Sequence, residues 1–180
     1  MVFYINKIRI KVEYSLLLII AFSLFLENKS ILYVLLFSSI HECAHLIALL
    51  SFKEKPSEIN FAFYGIGMKY SCRLTFIKEL IVLLAGAAVN ILFYLLDIQR
   101  EINYSLALIN LLPVYPLDGG RAAKLIINKL LCFDIADRVF KIISVVFITA
   151  FVISSILSKN FSLIFISIYI IIFAINNSFD

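Results

Sequence analysis

The chain has 180 residues, 63% hydrophobic and 16% charged, with a mean hydropathy of +1.03. A soluble domain carries about 45–50% apolar residues, and a chain this short has no interior to absorb the excess, so an ordinary soluble domain is excluded. The net charge of +4 is dispersed between apolar runs, where membrane topology accounts for it, so no nucleic-acid partner is expected.

In chain order, "IRIKVEY" comes first: Ile8, Ile10 and Val12 alternate with Arg9, Lys11 and Glu13, the period of a half-buried strand. Lys7, Arg9 and Lys11 then precede "SLLLIIAFSLFL", a pairing that imitates a signal peptide. The run continues into "ENKS" and a further apolar stretch without a small-residue cleavage site, so it reads as a retained first span. Six apolar runs, at about 12–27, 30–50, 76–97, 102–131, 139–157 and 160–176, approach the ~20 residues needed to cross a bilayer.

Between the second and third runs, "INFAFYGIGMKYS" sets β-favouring residues on both sides of Gly65-Ile66-Gly67 and reads as a hairpin. The fourth run is interrupted by "NLLPVYPLDGGR", where Pro113 and Pro116 forbid a regular helix. No repeat and no polar linker appears. The expected fold is mainly α: a polytopic membrane protein with about six transmembrane helices and a small membrane-associated β-sheet or hairpin, forming a single domain over residues 1–180.

Basic residues set the expected orientation. With the N-terminus inside, thirteen of the sixteen Lys and Arg fall on cytoplasmic segments, leaving Lys29, Arg100 and Lys159 outside. Both termini are then cytoplasmic. Cys43, Cys72 and Cys132 show no C-x-x-C spacing and are odd in number, which reads as small apolar filler.

The chemistry lies in "FSSIHECAHLIALL", residues 37–50. His41 and His45 are four residues apart, so a helix stacks them on one face, where two imidazoles can bind one zinc ion. In H-E-x-x-H sites the intervening carboxylate, here Glu42, takes a proton from the attacking water and later passes it to the leaving amine. Ionisable residues within a spanning segment are rare and usually functional, which favours this over a packed histidine pair.

A catalytic zinc needs a third protein ligand and an open position. The chain has two histidines, so that ligand is a carboxylate or a thiolate. Asp118 is the prime candidate, an acid in a spanning region beside a backbone break. Cys43 lies about 200° round the helix from His41 and is a poor ligand. Asp97, Asp134 and Asp137 lie at segment ends, where solvation accounts for them. His41 and Asp118 both fall past the middle of their spans, toward the cytoplasmic surface.

"HECAH" in one span with "NLLPVYPLDGGR" in a later one resembles the site-2 protease family of intramembrane zinc metalloproteases. The six-span outline is similar to the branch containing the stage IV sporulation protein FB proteases of bacterial cell membranes. The resemblance implies zinc ligands His41, His45 and Asp118, with Glu42 catalytic. It further implies membrane-associated protein substrates, such as a membrane-tethered transcription factor precursor, and regulatory membrane partners.

Family members carry a Gly-Pro-x-x-Asn motif in the third core span. Here "AGAAVN" supplies Gly86 and Asn90, with Ala87 in place of the proline. The Asn90 amide is then available to bind substrate backbone or order the site, and the small residues around Gly86 permit close helix packing. Asn110 either hydrogen-bonds near the site or satisfies backbone freed by Pro113. Neither a PDZ insertion nor the branch's nucleotide-sensing domain is expected within residues 1–180.

The broken segment would admit water to the site, and the hairpin at 59–71 would offer a strand edge to an unwound substrate. A metal transporter would need ligands strung along a pathway, and an inactive scaffold would be expected to have lost Glu42 or a ligand.

Overall fold

The structure is a computed structural model that describes residues 2–5, 8–25, 29–62, 65–69, 74–115, 117–158 and 168. It divides into two compact units, Met1–Leu108 and Ile109–Asp180.

The first unit opens with strands β1 (Val2–Ile5) and β2 (Ile8–Val12) and helices α1 (Tyr14–Phe25) and α2 (Lys29–Ser51). Strands β3 (Glu58–Ala62) and β4 (Gly65–Lys69) and helix α3 (Phe76–Leu95) come next. The four strands form one sheet in the order β1-β2-β3-β4. β2 is the strand anticipated from its alternation. The β3–β4 hairpin is also present, but Ala62 pairs with Gly65, so the chain reverses before Gly65-Ile66-Gly67 and those residues open β4. Within the hairpin the edge is β4: β3 is paired on both flanks, and β1 and β4 are the outer strands.

β2 and β3 run parallel, Arg9 opposite Glu58 and Val12 opposite Phe61. Parallel neighbours need a crossover that carries the chain from the end of one strand back to the start of the next, and here that crossover contains α1 and α2. α2 rises about 34 Å, a bilayer's thickness, whereas α1 rises about 18 Å. α1 on its own is therefore short of a bilayer crossing. The amide of Glu13 donates to the Phe61 carbonyl at 2.8 Å, tying the start of α1 to the sheet. The Glu13 carboxylate accepts from Lys11 Nζ at 2.9 Å and Asn60 Nδ2 at 3.1 Å, and Arg9 lies 3.6 Å from Glu58.

α2 buries Phe37, His41, His45 and Leu49, a stripe at four-residue spacing. α3 answers with Val82, Leu83, Gly86, Ala87 and Asn90. Phe37 meets Phe93 edge to face, with ring centroids 5.5 Å apart. Outside these stripes the helices expose large apolar side chains such as Ile47, Ile77 and Leu92, as lipid-facing surfaces do.

Helix α4 (Arg100–Asn110) ends where the proline-containing break begins, and α5 (Asp118–Leu130) resumes after it. The run at 102–131 is thus two short helices and not one span. In the second unit, a side chain at Gly119 would strike the backbone of Leu111, and one at Gly120 the backbone of Val114. Two glycines therefore let the break fold against the first turn of α5. Ser144, on α6 (Phe133–Leu157), donates to the Pro113 carbonyl at 3.0 Å.

α2, α3 and α6 are long and apolar enough to cross a membrane. Among the described residues these are three candidate spans, where six were anticipated. α1 is too short, the fourth run is broken, and the run at 160–176 lies outside the described residues apart from Ile168. The chain is an integral membrane protein.

Candidate metal centre on helix α2

The i, i+4 spacing of His41 and His45 puts both imidazoles on the stripe that α2 turns toward α3. They are 2% and 5% exposed, while Cys43 on the opposite side is exposed, as its helical position requires. Glu42 is half-buried. The two Nε2 atoms face each other at 3.1 Å, with the rings nearly perpendicular at 80°.

Each Nδ1 is engaged elsewhere. His45 Nδ1 is 2.6 Å from the Val82 carbonyl, and because a carbonyl only accepts, Nδ1 carries the proton and Nε2 keeps its lone pair. His41 Nδ1 lies 3.2 Å from Asn90 Nδ2. Two bare lone pairs would repel at the observed Nε2 separation, so a proton or a cation belongs between them. For a tetrahedral zinc with Zn–N bonds of about 2.0–2.1 Å, adjacent nitrogens sit about 3.3 Å apart. The observed pair is close to that, and the donor set suits zinc.

Ligand atoms of His41, Glu42 and His45 all lie within 4.8 Å of one another, the one such trio of possible metal-binding side chains among the described residues. Gly86 completes the fit. A Cβ at that position would be 2.5 Å from both His41 Nε2 and His45 Nε2, inside the space an ion would need.

Asn90, 0% exposed, joins this group through His41, whereas its Oδ1 has no hydrogen-bond partner. Asn110 is the last residue of α4 and Asp118 the first of α5, both half-buried. An acid in a first turn is favoured by the helix dipole. Asp97 is exposed beside Arg100 at 3.7 Å. Asp137 pairs with Lys141 at 2.9 Å and Lys124 at 3.5 Å. Pairing and solvent account for both acids, as their positions at segment ends suggested.

One participant was not anticipated, the Val82 carbonyl. A main-chain oxygen leaves no mark in a sequence. The one signal is indirect: Val82 lies four residues before Gly86, so the carbonyl that helix geometry directs to the Gly86 amide has open space beside it for a second donor.

Fold and site together define a helical membrane protein in which a helix long enough to span the bilayer presents two buried histidines, with a half-buried carboxylate beside them, to a small-residue face of its neighbour. The chain shares the fold of the "Site-2 Protease from Methanocaldococcus jannaschii", with a TM-score of 0.68 over 99% of this chain and 94% of that one, at 20% sequence identity. No protein-family model matches the chain, and no curated protein matches it.

Proposed function

We propose that the chain is an intramembrane zinc metalloprotease, a zinc-dependent endopeptidase acting on membrane-associated protein substrates. The observation that carries this reading is the convergence of His41 Nε2 and His45 Nε2, with Glu42 in the same cluster, on a helix long enough to span a bilayer. The shared fold supports it.

Zinc, when bound, supplies a Lewis acid that polarises the scissile carbonyl and makes water a better nucleophile near neutral pH. Glu42 takes the proton from that water as it attacks and delivers it to the leaving amine. His45, held by the Val82 carbonyl, keeps one tautomer throughout. Asp118 is the third ligand in this proposal, being the acid beside the sequence's one proline-broken span. Asn110, at the end of α4, binds substrate backbone or orders the site. Residues 1–180 act as one catalytic domain.

Exposing a helical substrate's backbone requires unwinding it, and an unwound segment can add to the outer edge of the sheet. That edge is β4 or β1, because β3 is already paired on both sides. The basic segments fit a cytoplasmic sheet: β2 carries Arg9 and Lys11, and it lies beside β3, which comes after Lys53 and Lys55. Cleavage then releases the cytoplasmic part of a substrate, such as a membrane-tethered transcription factor precursor of the kind the sporulation branch would process. Among the described residues the possible metal ligands gather in one compact cluster, which speaks against a transporter.

The test is co-purification and cleavage with single-span substrates. Wild type holds zinc and cleaves. Glu42→Gln keeps the zinc and loses cleavage by roughly 10²–10⁴-fold, the range for removing a general base. His41→Ala, His45→Ala and Asp118→Ala lose both. Wild-type cleavage by Glu42→Gln would end the protease reading, and full zinc and activity in Asp118→Ala would end that ligand assignment alone.

A further inference from the structure

The corner between α5 and α6 exposes every residue from Asn128 to Ile135. Four of them are large and apolar: Leu130 and Phe133, 74% and 73% exposed, with Leu131 and Ile135. A water-facing surface rarely gathers such side chains with nothing to cover them. Behind the corner the charges are mostly basic. α5 carries Arg121, Lys124 and Lys129, and the first turns of α6 carry Arg138 and Lys141. Asp134 and Asp137 are the acids between Arg121 and Lys141, which leaves a net charge of +3 on this segment. Lys124 and Lys141 share Asp137, at 3.5 and 2.9 Å, so one carboxylate ties the two helices together and gathers two ammonium groups.

Helix length sets the depth of this patch. α6 has 25 residues and rises about 37 Å, against a hydrocarbon core of about 30 Å. Its charge-free run, Ile142 to Leu157, rises about 24 Å and falls short of that core. The span fills the core when basic side chains at its edge reach outward along the helix. Lys141 is already extended that way, because its ammonium meets Asp137, one turn nearer the corner. The first turns of α6 and the corner then lie in the headgroup layer, which is about 5–7 Å deep on each side. Large apolar side chains beside a basic girdle, at that depth, are the make-up of an anchor on an anionic membrane surface.

We infer that the α5–α6 corner is a docking surface for anionic phospholipid, with Leu130 and Phe133 at the boundary of headgroup and acyl chain and Lys129, Arg138 and Lys141 beside the phosphates. Charge complementarity selects this occupant. A zwitterionic lipid would cover the apolar side chains equally well but leave the excess positive charge uncompensated. Each cation held close to an anionic surface strengthens the association roughly fivefold. None of these residues belongs to the metal centre, so the inference stands or falls apart from the protease reading.

The sequence contains no tryptophan, so Phe133→Trp supplies a single fluorophore at an exposed position of the full-length chain. The variant is reconstituted into vesicles of phosphatidylcholine and phosphatidylglycerol in equal amounts, with bromine near the headgroup end of the acyl chains in one lipid or the other. The tryptophan should emit at shorter wavelength than in water and be quenched by both brominated lipids. Quenching should show at least about a threefold preference for phosphatidylglycerol, declining as salt is raised. Adding Lys129→Gln and Arg138→Gln should lower that preference at least about twofold while phosphatidylcholine still quenches. Emission as in water, with no quenching by either lipid, would overturn the inference and leave the corner to a protein partner. Equal quenching by the two lipids would overturn it as well, as would a preference unchanged by the double substitution.

Discussion

Gly86 has no side chain to contribute, yet it decides whether the cluster can hold an ion. A methyl group there would lie 2.5 Å from both facing Nε2 atoms, and rigid helix backbone behind it leaves nowhere to retreat. Gly86→Ala should therefore leave α2 and α3 helical, since alanine favours a helix over glycine, while reducing zinc content to well below one per chain. Metal analysis of the purified variant, beside its circular dichroism, checks both halves. At this scale the sequence was informative where chemistry and spacing coincide. His41, Glu42 and His45 were legible because a four-residue interval fixes two side chains on one helix face. The Val82 carbonyl was not legible, because it belongs to the main chain. Asn90 was recognisable as a polar residue near small ones, but its contact with His41 depends on the register of two packed helices, which no local pattern encodes.

Between elements, the α2–α3 contact is what holds the cluster together. Phe37 is 5% exposed and meets Phe93 edge to face. In lipid, removing Phe37 forfeits packing but little transfer energy, because the acyl chains are as apolar as the core. Phe37→Ala should then cost about 3 kcal/mol, the low end of the roughly 3–5 kcal/mol seen for such truncations in soluble cores. A shift of the SDS unfolding midpoint would register it, and an unchanged midpoint would deny this contact its role. Phe61→Pro should be worse tolerated than a proline in an outer strand, since β3 has neighbours on both sides. The yield of monodisperse protein reports that. The proline break was plain in the sequence because proline acts locally. The hairpin's reversal was misplaced because glycines serve strands as well as turns. The partnership of β2 with β3 could not be foreseen, as it joins segments with two helices between them.

For the whole molecule, composition established the membrane setting, but the length of an apolar run did not mark where regular helices form. An apolar run of thirty residues, 102–131, is resolved into two short helices by two prolines, and the first run holds a helix of only 12 residues. Orientation is open to direct test in a background lacking the native cysteines. A cysteine at Ser57 should be shielded from an impermeant thiol reagent in intact cells, and one at Asn28 should be labelled. The reverse pattern would put the released product outside and end the regulator hypothesis. The parallel pairing of β2 with β3 also bears on biosynthesis. The ribosome delivers β2 early, but its partner β3 emerges only after both α1 and α2 have been made. Until then one flank of β2 has no strand to pair with. The sheet can close only once both intervening helices are made, so a nascent chain that stalls between β2 and β3 displays unpaired strand backbone, a feature that quality-control proteases and chaperones can detect.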